Sequence, residues 1–323
     1  MNQVANKNLS IVIPTFNRSD FIGRSLEVHI PLARKYGIEI FISDNCSSDG
    51  TAEVVRSWKE EYPFLHYSRN ETDIGAEGNF EVALNLSDTE YVWLFGDTYR
   101  VPEGGFEYML NLFERNEYAA VVTNLIGKLD FPAKTYVDNS ELLADVGGLM
   151  SCLSCLVLNK KLISAAAFAR YHGSYFIHTG IVLEYVAAQK AQVYWAGDLS
   201  VLSLSSDILY KKSWADTERV VEVGVEKWVN FIFSLPPQYS LVSKLKAARS
   251  FGSFGLLSWR GIGLMRANGF LTHDLIVRYR DAFKLALSDQ RKFYALFVIC
   301  LLPVNFVKGG IEVFRKLRRR HNA

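Results

Sequence analysis

The sequence is poor in cysteine and has almost no excess of charge of one sign, and each shortage excludes a class of protein. Four cysteines scattered over 323 residues are too few for a disulfide scaffold, which favours a reducing, cytoplasmic setting. The 36 lysines and arginines nearly balance the 34 aspartates and glutamates, for a net charge of +2. This balance gives no global basic field, so we expect no nucleic-acid partner.

Long apolar runs are also missing. The polar start, Met1 to Asn8, has no apolar core of a secretory signal. The nearest candidate for a membrane span is the uncharged run from Phe293 to Val307, which is interrupted by Pro303 and is shorter than the ~18–20 apolar residues that a spanning helix needs. Because 49% of the residues are hydrophobic, disorder is excluded and a sizeable folded core is expected.

Short β-rich runs alternate with helical patterns over the first 125 residues. Strands are predicted at 9–13, 38–42, 65–67, 91–95 and 119–124, and helices at about 19–35, 51–61, 75–86 and 103–116. The alternation predicts an α/β fold with a mostly parallel sheet and helices on both faces. Short strands near 193–204 follow, and beyond about 206 the pattern is helical. We therefore expect a domain at 1–205 and a helical region at 206–323.

Polar segments follow four of the predicted strands. They are Thr15–Arg18, Ser43–Asp49, Arg69–Asn70 and Gly96–Tyr99. Such residues are common in turns for conformational reasons alone. In open α/β sheets, however, ligands bind beyond the carboxyl ends of the strands, so these segments are the candidate binding site.

The order of these motifs resembles the family 2 glycosyltransferases of the GT-A fold. The matching runs are Pro14–Arg18, Asp44–Thr51, Arg69 to Gly75 and Gly96–Asp97, which look like P-x-Y/F-N-R, D-D-G/C-S-x-D-G-T, R-N-x-x-x-x-G and an acidic strand end. The resemblance covers about residues 9–125. It implies a Rossmann-like domain that binds a nucleotide-sugar donor and transfers the sugar to a hydroxyl group.

The resemblance assigns donor-binding roles to the strand ends. Asp44 and Arg69 are expected to face the base of the nucleotide, and Thr15, Asn17 and Asn45 to line the same end of the cleft. Fixed hydrogen-bond donors and acceptors suit the edge of a base. Asp49, in contrast, is expected to close its own turn and cap the following helix.

The acidic motif departs from the family pattern. Asp97 is present, but Tyr99 stands where a second carboxylate is usual. Mg²⁺ or Mn²⁺ bound through Asp97 and the donor phosphates is still compatible with one carboxylate, since Mg²⁺ often uses only one or two. The alternative is a solvated turn aspartate in a degenerate transferase. Lys211 and Lys212 offer another way to neutralise the leaving diphosphate.

The reaction also needs a base for the acceptor hydroxyl. His178, before the predicted helix that carries Glu184, falls near the family's base position, and a neutral imidazole at a helix N-terminus is a competent base. The alternative is a packed or capping histidine. Cys152 and Cys155 lie in an apolar run without further metal ligands, so they are expected as buried residues on a strand.

The resemblance implies an inverting hexosyl- or deoxyhexosyltransferase, similar to the abequosyltransferase-like enzymes of bacterial O-antigen and surface-polysaccharide synthesis, with a lipid-linked oligosaccharide as the expected acceptor. A Rossmann oxidoreductase is disfavoured because the first strand is followed by Pro14–Arg18 and not by G-x-G-x-x-G. A non-catalytic nucleotide-sugar or glycan-binding relative remains the alternative, given Tyr99.

The C-terminus combines an apolar segment with a basic tail. Phe293–Leu302 is continuously apolar, and Lys308, Arg315, Lys316 and Arg318–Arg320 follow, opposed only by Glu312. Such a pair of features favours peripheral contact with the cytoplasmic face of a membrane. The alternative is a core helix followed by a solvated tail.

Overall fold

The computed structural model describes residues 4–204, 217–253 and 255–311. The chain divides into two compact units. Within the described residues, the first unit comprises 4–142 and 149–204, and the second comprises 143–148, 217–253 and 255–311. The boundary predicted at 205 falls among residues 205–216, which lie outside the described part of the chain.

The first unit alternates strands and helices along the chain, as predicted. Its elements are β1 (Leu9–Thr15), α1 (Ser19–Tyr36), β2 (Glu39–Asp44), α2 (Thr51–Glu61), β3 (Leu65–Arg69), α3 (Gly75–Asn85), β4 (Tyr91–Leu94), β5 (Tyr99–Arg100), α4 (Gly105–Phe113), β6 (Ala120–Leu125), β7 (Lys134–Tyr136), α5 (Asn139–Val146), whose last residues belong to the second unit, β8 (Leu156–Asn159), α6 (Lys160–Ser164), α7 (Ile177–Gln189) and β9 (Val193–Ser203).

One sheet joins these strands in the order β3-β2-β1-β4-β8-β6-β9-β5, with β7 paired to β9. The four strands from β3 to β4 run parallel, and β8 is antiparallel to both β4 and β6. The predicted α/β fold is therefore confirmed, but the sheet is mixed and not mostly parallel. The parallel ladder places the carboxyl ends of β1 to β4 at one edge.

Two of the four parallel strands, β1 and β4, are largely apolar on both faces. Every residue of β1 and of β4 is buried, as expected for strands that are covered on both sides. Helix α1 ends at Gly37, whose φ of +67° is the left-handed conformation that glycine adopts without strain. The chain can therefore turn directly from α1 into β2.

The described part of the second unit is helical, as predicted. A π-helical turn (Glu222–Lys227) leads into α8 (Trp228–Ser234), α9 (Leu241–Ser253), α10 (Trp259–Ala267), α11 (His273–Arg278), α12 (Arg280–Ala286) and α13 (Gln290–Leu301). Within the described ranges, no single helix has the length and apolar character to cross a membrane. Helix α13 and the segment Val304–Ile311 pass that test only as a pair, bent by 107°.

Candidate active site

The ends of β1 to β4 bring four predicted site residues to one edge of the sheet, which we call the strand-end site. The ladder pairs Thr15 with Asp44 and Asp44 with Arg69. Asp97 follows β4, and the Thr15 hydroxyl donates a hydrogen bond to Asp97 Oδ2 at 3.2 Å. The structure therefore assembles Thr15, Asp44, Arg69 and Asp97 as the strand-end rule predicts.

Asp44 is the buried centre of this edge, with 0% of its surface exposed. Its Oδ1 accepts the Ser47 amide at 2.9 Å, and its Oδ2 accepts the Tyr67 hydroxyl at 2.6 Å. Burial and the hydrogen bond to Asp44 raise the pKa of Tyr67, so this phenol stays protonated and donates. A base contact by Asp44 therefore requires the Tyr67 hydroxyl to move.

The loops after β1, β2 and β3 are joined to each other. Asn17 adopts a left-handed φ of 52°, which asparagine tolerates better than most residues. Its Oδ1 accepts the Ser48 amide and its own amide donates to Ser47 Oγ, both at 2.8 Å. Arg69 Nη2 donates to the Ser47 carbonyl at 3.0 Å, and the Arg69 side chain keeps 43% of its surface exposed. Arg69 is thus a cation of this site that solvent reaches.

A buried amide network lies behind these loops. Asn79 Oδ1 accepts Ser43 Oγ at 2.7 Å and Asn70 Nδ2 at 3.1 Å, while Asn79 Nδ2 donates to the Ser43 carbonyl at 2.9 Å. Asn45 Oδ1 accepts both Asn70 Nδ2 and the Ile74 amide at 3.1 Å. Asn45, predicted to line the cleft, is instead buried and joins its own loop to the loop after β3. Asn79 lies on the first turns of α3, four residues beyond the Arg69 to Gly75 motif, and is not among the predicted site residues.

The acidic end of the site contains an ion pair that the sequence analysis also did not assign. Arg18 Nη1 lies 2.6 Å from Asp97 Oδ1, and the Asp97 side chain is almost fully buried. The Arg18 guanidinium lies 5.7 Å from the ring centre of Phe21, one turn along α1. Arg18 is the last residue of the P-T-F-N-R motif, so its position was visible but its partner was not.

The part of the chain that carries the strand-end site matches a known protein family. Residues 10–143, which contain all four strand ends, match the family described as glycosyl transferase family 2. Over these residues the chain is similar to a family 2 glycosyltransferase domain, and we call this segment the family 2 domain.

Two relatives are glycosyltransferases by name. The abequosyltransferase RfbV of Salmonella typhimurium is 28% identical over 200 residues, which are 54% of this chain and 60% of the relative. The GalNAc(5)-diNAcBac-PP-undecaprenol beta-1,3-glucosyltransferase of Campylobacter jejuni is 28% identical over 120 residues, 36% of this chain and 38% of the relative. The matches thus span less than two thirds of either relative.

Solved structures show the same fold. Staphylococcus aureus TarS 1–349 in complex with UDP-GlcNAc has a TM-score of 0.57 at 14% identity, covering 96% of this chain and 92% of TarS. The mannosyltransferase PcManGT of Pyrobaculum calidifontis, in complex with GDP-Man and Mn²⁺, has a TM-score of 0.52 at 16% identity, covering 92% and 89%. These likenesses confirm the GT-A fold of the family 2 domain.

The family 2 domain has an unusual acidic strand end around Tyr99. The neighbouring Cys152 thiol and burial raise the pKa of Tyr99, so it is a neutral phenol where a carboxylate is usual. Cys152 precedes a 3-10 turn and Cys155 is its last residue, directly before β8, so neither cysteine lies on the strand as predicted. Ser154, in that turn, accepts the Gly96 amide at 2.9 Å. The turn therefore fixes the backbone on which Asp97 sits.

The side chains around Asp97 decide whether this site can hold a divalent cation. Mg²⁺ and Mn²⁺ take oxygen ligands, and a family 2 site supplies them from its acidic motif. Here Asp97 already binds Arg18 and Thr15, and Tyr99 is a protonated phenol. Among the described residues, no group of three or more His, Cys, Asp or Glu side chains could hold a metal ion. In this arrangement the residues do not fit a resident ion.

His178 is buried, with 2% of its surface exposed. Its Nε2 lies 3.0 Å from the Ser151 carbonyl and is therefore the donor, and its ring packs edge-on against Phe80 at 6.0 Å. Its Nδ1 has no hydrogen-bond partner among the described residues. Burial lowers the pKa of His178 to about 4. This geometry corrects the expectation that His178 is an accessible base, because the acceptor hydroxyl cannot reach it as it stands.

Glu77 is a further residue that the sequence analysis did not assign. Its carboxylate accepts the Gly173 and Tyr175 amides, each at 2.7 Å, and so fixes the loop before α7. Tyr175 has a left-handed φ of 73°, which is unfavourable for a bulky residue and is held by this contact. Glu184, on α7, is paired with Arg170 at 2.6 Å. These carboxylates position the loop on which the base was expected.

Two other predictions have different outcomes. Asp49 accepts the Thr51 and Ser19 amides at 3.1 and 3.0 Å, so it closes its own turn and bonds the first amide of α2, while the N-cap residue of that helix is Gly50. Lys211 and Lys212, predicted to contact the donor diphosphate, lie outside the described residues.

Proposed function

We propose that the chain is a nucleotide-sugar-dependent glycosyltransferase that moves a hexosyl or deoxyhexosyl group to an oligosaccharide hydroxyl in bacterial surface-polysaccharide synthesis. The observation that carries the proposal is the alignment of Thr15, Asp44 and Arg69 at the edge of a parallel sheet within a family 2 domain. The names of the two relatives support the class of acceptor, and the donors bound to TarS and PcManGT support the class of donor.

The proposed reaction is an in-line displacement with inversion. The acceptor oxygen bonds to the anomeric carbon as the bond from that carbon to the diphosphate oxygen breaks, and the electron pair leaves with the nucleoside diphosphate. The hydroxyl proton passes to a base, which His178 provides only if its bond to Ser151 opens. In this proposal Arg69, which donates to the Ser47 carbonyl and is partly exposed, binds the nucleotide, and Asp97, paired with Arg18, fixes the acidic end of the crevice. A divalent cation, in the enzymes that use one, supplies positive charge to the leaving diphosphate.

The experiment that tests this function is a thermal-shift screen of UDP-, GDP-, CDP- and dTDP-sugars, followed by an assay for nucleoside diphosphate release with lipid-linked oligosaccharides. A ligand that binds only the folded state raises the melting temperature, so the matching donor will stand out from the panel. Stabilisation by a donor together with release of its nucleoside diphosphate supports the proposal. No shift with any donor contradicts it.

A second candidate is a nucleotide-sugar or glycan-binding relative without catalysis. It is favoured by the burial of His178 and by Tyr99 at the position of a carboxylate. The same assay separates the two, because donor stabilisation without diphosphate release for any acceptor supports the binding protein.

We further propose that the second unit contacts an anionic membrane surface on the cytoplasmic side, where a lipid-linked acceptor would be presented. Helix α13 buries Phe293 and Leu296 but exposes Tyr294, Val298 and Leu301 at a spacing of four and three residues. Leu301 is 80% exposed. An exposed apolar stripe at helical spacing fits partial insertion at a lipid interface.

The apolar stripe continues beyond α13 and has cations at both ends. Phe306 is exposed after the bend at Pro303, while Lys292 and Lys308 flank an uncharged stretch of the chain. The basic residues Arg315–Arg320 follow in the sequence and lie outside the described residues. Each cation near an anionic leaflet contributes about 1 kcal/mol, so charge and apolar area act together.

Liposome sedimentation tests the membrane proposal. The wild type is expected to sediment with phosphatidylglycerol vesicles at low salt and less at high salt, and Val298→Asp with Leu301→Asp is expected to lose most of this binding. Val242→Asp is the matched control, since Val242 is 76% exposed on α9 of the same unit. Equal sedimentation of the wild type and the double variant would show that this stripe does not bind lipid.

A further inference from the structure

The acidic end of the strand-end site has exchanged a metal ligand for an internal cation. We propose that the Arg18 guanidinium, held by Asp97, serves the donor diphosphate in place of a resident divalent cation, so that nucleotide binding by this domain is independent of metal. This inference rests on the proposed function, because it assigns the phosphate-facing group of the same site.

The first support is the position of the charge. Arg18 Nη1 lies 2.6 Å from Asp97 Oδ1, on the side chain that would have to coordinate an ion. An ion at that oxygen would compete with a guanidinium that is already at contact distance. Like charges repel strongly in a partly buried site, so cation binding and the Arg18 pair exclude each other.

The second support is that no second carboxylate follows Asp97, so this strand end has no separate ligands for Arg18 and for a metal ion. The side chain two residues after Asp97 is Tyr99, which carries no carboxylate. The backbone between them is fixed, because Ser154 accepts the Gly96 amide and Tyr99 donates its own amide to the Gly96 carbonyl at 3.0 Å. Local rearrangement therefore does not supply another oxygen ligand from this strand end.

The third support is the hydrogen-bonding capacity of Arg18. Guanidinium carries five N–H donors in a planar fork that matches phosphate oxygens, and it stays charged at all working pH values. In the described part of the chain, the Arg18 hydrogen bond and ion pair use Nη1 alone. Its side chain is 24% exposed and begins at the N-terminus of α1, where the helix dipole also favours an anion.

The proposal predicts a distinctive dependence on phosphate and metal. Asp97 acts here as a positioning residue, and Arg18 as the residue that touches the diphosphate. Nucleoside diphosphates should bind equally well in chelator and in Mn²⁺. The matching nucleosides have no phosphate, so their affinity should not depend on Arg18. A transferase that uses a resident ion would show the opposite metal response.

The test measures binding of UDP, GDP, CDP and dTDP, and of their nucleosides, by titration calorimetry in EDTA and in Mn²⁺. Wild type, Arg18→Gln and Arg18→Lys are compared, with Arg24→Gln as control for a lost arginine elsewhere on α1, where Arg24 pairs with Glu27 on the surface. Mn²⁺ alone is also titrated into the wild type and followed by electron paramagnetic resonance.

The expected result is that chelator leaves wild-type diphosphate affinity unchanged and that the signal of free Mn²⁺ persists with equimolar protein. Arg18→Gln should weaken diphosphate binding by about 10- to 100-fold without changing nucleoside binding, while Arg18→Lys recovers part of the loss and Arg24→Gln matches the wild type.

Loss of wild-type diphosphate binding in EDTA, tight binding of Mn²⁺ alone, or full affinity of Arg18→Gln would overturn the proposal. If Arg18→Gln fails to fold, the two wild-type measurements still decide. If no nucleotide binds the wild type in either condition, the proposed function itself fails, an outcome distinct from metal-dependent binding.

Discussion

The two ends of the strand-end site are built from different chemistry. After β1, β2 and β3, side chains such as Asn17, Asn45 and Asn79 bond mainly to neutral groups, which fixes three loops together. After β4, Asp97 forms an ion pair with Arg18 from the loop after β1, and the Tyr99 phenol lies beside the Cys152 thiol. The end after β1 to β3, proposed to bind the nucleotide, is held by hydrogen bonds and is called the frame. The end after β4, proposed to face the diphosphate, is a compensated charge and is called the phosphate end. This difference implies that substitutions at the first end lower stability and those at the second change the chemistry.

The largest effect is expected from Asp97→Ala, which removes the group that positions Arg18. Turnover of donor should fall by about 100- to 1000-fold, as when a fixed charge-stabilising group is lost from an active site. Nucleoside binding should be unchanged, because the frame after β1 to β3 is intact. Release of nucleoside diphosphate is the measurement, and Asp88→Ala, on an exposed side chain, is the control. Full activity of Asp97→Ala would remove the phosphate end from the mechanism.

Acid should loosen the phosphate end first. His29 Nε2 accepts the Val101 amide at 3.0 Å and its ring packs against Phe95, next to the acidic strand end. Burial lowers the pKa of His29 from 6.5 to about 4, so the unfolded state binds a proton that the folded state does not between these values. The free energy of unfolding therefore falls as pH drops from 6.5 towards 4, by up to roughly 3 kcal/mol for this group.

Urea unfolding at several pH values measures this loss. His29→Gln should flatten the dependence on pH below 6.5, whereas His66→Gln, which removes an exposed histidine paired with Glu39, should leave the slope close to that of the wild type. The same slope in His29→Gln and the wild type would place the titrating group elsewhere.

Asp44→Asn should affect both stability and binding. The sequence alone favours a loss of nucleotide affinity with little loss of stability, but the buried Asp44 carboxylate accepts the Ser47 amide and the Tyr67 hydroxyl. A mispaired buried group costs about 1–3 kcal/mol, so the urea midpoint should fall together with nucleotide affinity. An unchanged midpoint would mean that Asp44 is not part of the frame.

The smallest effect is expected from Asn79→Ala, which loses hydrogen bonds to Ser43 and Asn70 behind the site. We expect the free energy of unfolding to fall by roughly 1–2 kcal/mol. The nucleotide affinity should change little once it is corrected for the fraction of folded protein. Asn85→Ala, an exposed asparagine on the same helix, is the control. A variant as stable as the control would contradict the assignment of this network to the frame.

The strands and helices of the frame are largely predictable from the sequence, because each has a signal within its own segment. β1 to β4 and α1 to α3 were predicted within a few residues, since apolar runs end at turn motifs. β5 and β7 are not predicted, because they have 2 and 3 residues and depend on antiparallel partners distant in sequence. The strand expected around Cys152 and Cys155 begins only at Leu156, as the 4-residue β8.

The phosphate end was less predictable because its properties depend on contacts between loops. Arg18 lies in a recognised motif, but its pairing with Asp97 joins positions 79 residues apart. His178 looked like an accessible base by position, yet a carbonyl 27 residues earlier and the ring of Phe80 bury it. Side-chain burial of this kind follows from the packing of α7 and not from the pattern of residues around His178.

The central claim, that the strand-end site binds the nucleotide of a sugar donor, is tested most directly by Arg69→Ala. Arg69 keeps 43% of its side chain exposed, but it also donates to the Ser47 carbonyl and lies 3.9 Å from the buried Asp44 carboxylate, so the urea midpoint is measured beside the affinity. Titration calorimetry with UDP, GDP, CDP and dTDP should find a nucleotide that binds the wild type and that binds Arg69→Ala about 10- to 150-fold more weakly, after correction for the fraction of folded protein. Equal affinity of the two proteins for that nucleotide would contradict the account.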